Sequence, residues 1–97
     1  MFDSTLSPEQ MRQIADVLRS HGVTHAALFG SFARGSANDQ SDVDILVEFA
    51  GAKGLLDVAA LELELSDRLH RPVEIITYRA LNPRIKDHVL REQVPIL

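Results

Sequence analysis

The chain contains no cysteine. A disulfide framework and a thiolate metal site are therefore both excluded. Basic residues are outnumbered, 10 Lys and Arg against 14 Asp and Glu, for a formal charge of −4. A general nucleic-acid binder would carry a basic stripe, so that class is set aside. No apolar run approaches the roughly 18 residues that a membrane-spanning helix needs. The N-terminus lacks the pattern of a secretory leader, so the expected location is the cytoplasm. Internal repeats and low-complexity segments are missing as well. One familiar phosphate-binding motif is also incomplete: Gly30 and Gly35 have the spacing of a P-loop, but Ser36 stands where the lysine belongs.

What is present fits one small folded unit. Apolar residues make up 45% of the 97 positions, enough for a core and too many for disorder. The length predicts a single domain over residues 1–97. A domain of this size buries a limited share of its surface, so association with a partner is expected.

The chain is organised around Leu28-Phe29-Gly30-Ser31-Phe32-Ala33-Arg34-Gly35, closed by Ser41-Asp42-Val43-Asp44. An apolar strand runs into a glycine-serine turn, ten residues separate Ser31 from Asp42, and a second apolar strand follows. Side chains at i and i+2 of a strand share a face, roughly 6–7 Å apart, so Asp42 and Asp44 project together. Val43, Ile45, Val47 and Phe49 take the opposite face as core. A bare D-x-D more often marks the wet face of a half-exposed strand; here it is joined to the apolar strand and the Gly-Ser turn. Two like charges on one face repel unless cations lie between them, and two-metal phosphoryl chemistry supplies such cations about 3.5–4 Å apart. Oxygen-only ligation favours Mg²⁺ or Mn²⁺. Gly30 lets the backbone approach phosphates. Ser31 and the amides after it open a short helix whose positive end attracts phosphate, and Arg34 offers a fork of donors to a phosphate oxygen. The stretch reads as a site for a nucleoside triphosphate and its divalent metals.

The other elements read as support. Residues 1–6 form a lead-in. Ser7-Pro8-Glu9-Gln10 starts a helix with Met11, Ile14, Ala15 and Leu18 on its apolar face, ended by Gly22. His21 and His25, flanking that glycine, read as surface or loop residues. Ala26–Phe29 is a short central strand, and residues 36–40 are loop. The second strand covers about Val43 to Phe49. Gly51-Ala52-Lys53-Gly54 is a turn; as a lid it would bring Lys53 to a phosphate. A helix follows over about Leu55 to Leu69, burying Leu55, Val58, Leu61, Leu65 and Leu69, with Glu62, Glu64 and Asp67 as its solvated face. Arg68, His70 and Arg71 suit its negative end. Val73–Thr77 is the third strand. Asn82-Pro83 caps a last helix to about Gln93, with Ile85, Val89 and Leu90 inward, and Pro95-Ile96-Leu97 is an apolar tail. The expected fold is α/β: a small mixed sheet of about three main strands flanked by helices, with Leu55–Leu69 as the crossover between parallel second and third strands.

Gly30-Ser31 with Asp42-Val43-Asp44 resembles the signature of the DNA polymerase beta-like nucleotidyltransferase superfamily. The fuller string resembles its smallest branch, the minimal nucleotidyltransferases, often antitoxins of HEPN–MNT toxin–antitoxin pairs. That resemblance implies a nucleotidyltransferase-like fold and transfer of AMP from ATP with two Mg²⁺ ions. Asp42 and Asp44 would hold the metals, and Gly30, Ser31 and Arg34 the phosphates. It also implies a third carboxylate on a strand beside D-x-D, usually aspartate. Glu74 occupies that place, one methylene longer, either assisting the attacking hydroxyl or completing the metal site. The implied acceptor is a protein hydroxyl, a tyrosine of a HEPN ribonuclease toxin. Two alternatives stand beside it: a small-molecule nucleotidyltransferase that completes its acceptor pocket as a homo-oligomer, and a non-catalytic antitoxin that acts by binding. Tyr78, just after the third strand, is a lesser candidate acceptor near the site.

Overall fold

The computed structural model describes residues 6–35, 37 and 41–97, with Arg34 described by its backbone alone. Most of the expected loop at 36–40, and the lead-in before Leu6, lie outside the described residues. Helix α1 (Pro8–Ser20) starts as the sequence predicts, in a reciprocal capping box: Gln10 N–H donates to Ser7 Oγ (3.1 Å) and Ser7 N–H to Gln10 Oε1 (2.9 Å). Strand β1 (Val23–Phe29) leads into α2 (Ser31–Arg34), a single turn, and β2 (Val43–Phe49) follows. Helix α3 (Leu55–Leu69) crosses to β3 (Val73–Thr77), and a 3₁₀ turn (Tyr78–Ala80) leads to α4 (Pro83–Glu92) and β4 (Val94–Pro95).

The sheet has the order β3-β2-β1-β4. β1 and β2 are antiparallel, β2 and β3 parallel, as the crossover requires. The fourth strand is the apolar tail: Val94 and Pro95 pair with Leu28 and Ala27, and the Ile96 and Leu97 amides donate to Ala26 O at 2.8 and 3.1 Å. β1 begins three residues before the expected start, at Val23, because Val23 and His25 continue the ladder with β2, with a register irregularity between them. His25 is therefore a strand residue rather than a loop one.

β2 is covered on both faces. Val43, Ile45 and Val47 join Ile14, Leu18, Leu61 and Leu65 in the main core under α1 and α3. Leu46 points the other way into a smaller cluster with Leu81 and Val89. Spacing alone overextends two apolar stripes. Leu55 is 84% exposed and Ile85 49% exposed, because periodicity fixes a helix face but not how far the underlying sheet reaches. Leu61→Ala is accordingly expected to destabilise the chain by about 2–5 kcal/mol, and Leu55→Ala by no more than about 0.5 kcal/mol. Chemical denaturation of the two variants checks the contrast.

Of the acids of α3, Asp67 is exposed as expected, whereas Glu62 and Glu64 are half-buried. Glu62 Oε2 accepts the Ile75 amide at 2.8 Å, and Ser66 Oγ accepts the Val73 amide at 3.1 Å. Four helical residues rise about 6 Å and two strand residues about 6.6 Å, so the two spacings match and α3 closes successive outward amides of β3. Glu64 Oε1 meets His21 Nε2 at 3.0 Å, tying the end of α1 to α3; His21 stands in the turn after α1, as expected, and is half-buried by that link.

Candidate active site

Sheet register brings Asp44 and Glu74 to one end of one face, beside the end of β1 that leads into the Gly30 turn. Phe29 pairs with Asp44 across β1 and β2, and Asp44 with Glu74 across β2 and β3. Registered neighbours share a face, with strands about 4.8 Å apart, so Asp44 and Glu74 stand side by side. Asp42 lies two residues before Asp44, just outside the start of β2. Asp44 is half-buried, and Asp42 and Glu74 are exposed. This is the face that carries Leu46. The α4 cluster covers Leu46 itself and stops short of Asp44.

Gly30 joins this acidic row to the signature turn. Its backbone sits at φ 70° and ψ −147°, a combination close to one essentially reserved for glycine. A Cβ at this position would lie 2.5 Å from Asp44 Oδ2 and 3.4 Å from its Cγ. The Asp44 carboxylate thus occupies the space that glycine's missing side chain leaves. The glycine was expected to admit phosphate close to the backbone; its steric role in the structure is to admit an aspartate. Ser31 starts α2 directly after it, and Gly35 in the left-handed conformation ends it. A helix of one turn cannot develop the macrodipole of a long one, so its capacity for phosphate rests on the Ser31 hydroxyl and first-turn amides. Arg34 closes that turn by its backbone, and its side chain lies outside the described residues.

A residue that periodicity assigned to the end of α3 also reaches the site. Arg71 Nη1 donates to Ser41 O at 3.0 Å, and its guanidinium lies 5.0 Å from the centroid of the Phe32 ring. Pro72 O accepts the Val43 amide at 2.9 Å. The only sequence signal was an Arg-Pro pair immediately before an apolar strand, which local patterning cannot connect to residues 30 or 40 positions away.

Two expected neighbours are elsewhere. Lys53 lies beside Gly22, with Nζ 3.8 Å from where a Cβ would stand, so the Gly51–Gly54 turn borders the start of β1 and not its signature end. Tyr78 follows the far end of β3 and donates its hydroxyl to Gln93 Oε1 at 3.0 Å. Burial first, and the Glu48 carboxylate second, raise its pKa above the usual phenol value of 10.0. Both residues line a groove of about 610 Å³ with Glu48, Thr77 and Arg79. That groove opens about 13 Å along β2 from Asp44, and Gly30, Ser31, Asp42, Asp44 and Glu74 are not among its lining residues.

The donor set suits a hard divalent cation. Asp42 and Asp44 offer oxygens only, two residues apart in the chain, and the Asp44 carboxylate lies in the Gly30 cradle. Among the described residues, no three acidic or histidine side chains gather closely enough to form a ready cage. The aspartate pair is the core of the candidate site, with Glu74 one strand away. No helix among the described residues is long and apolar enough to cross a membrane.

Comparison with known proteins gives a consistent set of likenesses. Residues 12–97 match the family described as Polymerase beta, Nucleotidyltransferase. A protein of Methanocaldococcus jannaschii assigned as a protein adenylyltransferase is 44% identical over 89 residues, 92% of this chain and 96% of the relative. A solved minimal nucleotidyltransferase superposes with a TM-score of 0.80 at 39% identity, over 90% of this chain and 89% of that one. A chain from the complex of a tri-AMPylated Shewanella oneidensis HEPN toxin with its MNT antitoxin superposes with a TM-score of 0.74. It is 20% identical, over 92% of this chain and 70% of that one, a likeness of fold.

Proposed function

The chain belongs to the polymerase beta nucleotidyltransferase family, and from that premise we propose that it transfers AMP from ATP to a hydroxyl group of a protein partner, neutralising a HEPN-type toxin. The observation that carries the proposal is the fit of the Asp44 carboxylate into the Gly30 cradle. It sets the Gly30 turn against the acidic row, which supports reading the two as parts of one nucleotidyl transfer site.

Asp42 and Asp44 would hold two Mg²⁺ ions, with Mn²⁺ able to replace them. When bound, the metals neutralise triphosphate charge and favour ionisation of the attacking hydroxyl. The chain's own groups do the rest. The Ser31 hydroxyl, the amides of α2 and the Arg34 guanidinium bind and orient the phosphates. The acceptor oxygen attacks the α-phosphorus, the bond to the β-phosphate oxygen breaks, and pyrophosphate leaves. Glu74, in register beside Asp44, accepts the hydroxyl proton. Glu74→Gln is therefore expected to lower kcat about 10²–10⁴-fold with little change in KM for ATP, measured by steady-state pyrophosphate release.

A protein acceptor is supported by the Methanocaldococcus relative, a protein adenylyltransferase matched over 96% of its length. The Shewanella complex, in which a HEPN toxin carries AMP groups beside an MNT antitoxin, points to the partner class. The test is the intact mass of the cognate HEPN protein after incubation with this chain, Mg²⁺ and each of the four ribonucleoside triphosphates. A gain of one or more AMP units with ATP, located on tyrosine by fragmentation, is the expected result. A stable complex without any mass change would instead make the chain a binding antitoxin.

A further inference from the structure

We propose that Arg71 is a positioning residue of the transfer site, holding Asp42 in place through its main chain and locking it to the signature turn. The inference rests on the nucleotidyltransferase reading above and extends it to a residue outside the signature.

Asp42 needs external restraint. It precedes β2, is exposed, and stands two residues from the like-charged Asp44. Both of its peptide neighbours are tied to one short segment: Arg71 Nη1 bonds Ser41 O at 3.0 Å, and Pro72 O accepts the Val43 amide at 2.9 Å. Bonds on either side leave the Asp42 backbone little freedom to rotate away from Asp44. The same guanidinium lies 5.0 Å from the centroid of Phe32, the residue after Ser31. One side chain thus contacts both halves of the signature.

The segment is itself preorganised. His70 takes the left-handed conformation (φ 55°, ψ 37°), which ends α3 abruptly. Pro72 confines Arg71 to extended backbone. Arginine suits the place better than lysine, because a planar guanidinium can stack on a ring while its edge donates in plane. Displacement of a metal-binding carboxylate by about 1 Å is enough to cost roughly 10²-fold in rate. A residue that fixes ligand orientation is thus expected to matter although it touches no substrate.

The test titrates Mn²⁺ into the full chain with a non-hydrolysable ATP analogue, following free Mn²⁺ by electron paramagnetic resonance, with the melting temperature recorded in parallel. Arg71→Ala should weaken Mn²⁺ binding about 10–100-fold, as loss of a ligand-orienting partner does. Arg71→Lys, which keeps a donor but not the planar face, should recover part of it. Phe32→Leu should lose a smaller part, and it separates a positioning role from a folding failure of Arg71→Ala. Arg68→Ala, three residues away and paired with Glu64, should bind as the unsubstituted chain does. Unchanged binding in Arg71→Ala, or an equal loss in Arg68→Ala, overturns the inference alone. If the unsubstituted chain binds no Mn²⁺, the metal reading of Asp42 and Asp44 falls, and the inference with it.

Discussion

Gly30→Ala is expected to abolish nucleotidyl transfer and to destabilise the fold by about 1–3 kcal/mol, although it adds one methyl group. Two independent effects act at this position. The backbone conformation, φ 70° and ψ −147°, is one that a Cβ makes costly. The new methyl would also stand 2.5 Å from Asp44 Oδ2, far inside contact distance. The carboxylate must then leave its cradle, or the turn must shift away from β2. Either movement separates the Gly30–Ser31 turn from the acidic row by more than the roughly 1 Å tolerance of a positioned site. Thermal melting and AMP transfer measured on the same preparation check both parts. Gly35→Ala is the internal control: it shares the positive φ, at 73°, but nothing lies within 4 Å of its added Cβ. It should show the backbone strain with a much smaller loss of transfer.

The double substitution Asp42→Asn, Asp44→Asn should leave the chain folded and reduce transfer by about 10³-fold or more. Electrostatic stabilisation from bound metals is worth several kcal/mol, and each 1.36 kcal/mol is a factor of ten. Asp42→Asn by itself carries a further signature. It removes one of two like charges from a shared face, so in metal-free buffer its stability should equal or exceed that of the unsubstituted chain by up to about 1 kcal/mol. With Mg²⁺ and nucleotide present the order should reverse, because ligand binding stabilises only the form that can bind. A melting experiment with and without the two ligands reads out this reversal without any acceptor protein. Were Asp42 merely a solvated strand residue, the ligands would leave the order unchanged.

The fold was legible where one stretch of chain contains its own reason for being structured. Ser7-Pro8-Glu9-Gln10 caps itself, and the alternation of Val43, Ile45 and Val47 with Asp42 and Asp44 states which face of β2 is core. The parallel crossover followed from the length of helix between β2 and β3. Features that depend on distant partners were not legible. Val94 and Pro95 form a strand only because Ala27 and Leu28 are there to pair with. Leu55 continues a helical stripe on paper but emerges 84% exposed. Glu62 reads as surface charge until Ile75 supplies an amide to it.

The site divides in the same way. The acidic pair and the turn belong to one continuous signature, so Gly30, Ser31, Asp42 and Asp44 stand out together as candidates. That Gly30 makes room for Asp44 needs the antiparallel return of β2 beside β1, which spacing does not reveal. Arg71 lies 30 positions from Ser41, and its local setting offered a sufficient but different explanation, the negative end of α3. The Gly51–Gly54 stretch is the connecting turn that its composition indicates, and the strand before it carries Lys53 to the other end of the sheet, away from the place a phosphate lid would need.

Closure of β3 by α3 bears on how this chain can meet other molecules. An edge strand with open amides is a template for another strand, the common route to domain swapping and to fibrils. Here the outward amides of Val73 and Ile75 are already taken by Ser66 and Glu62. The opposite edge is the two-residue β4, and its Pro95 has no amide to offer. Strand addition is thus discouraged at both ends of the sheet, and recognition of a second protein must use side-chain surfaces.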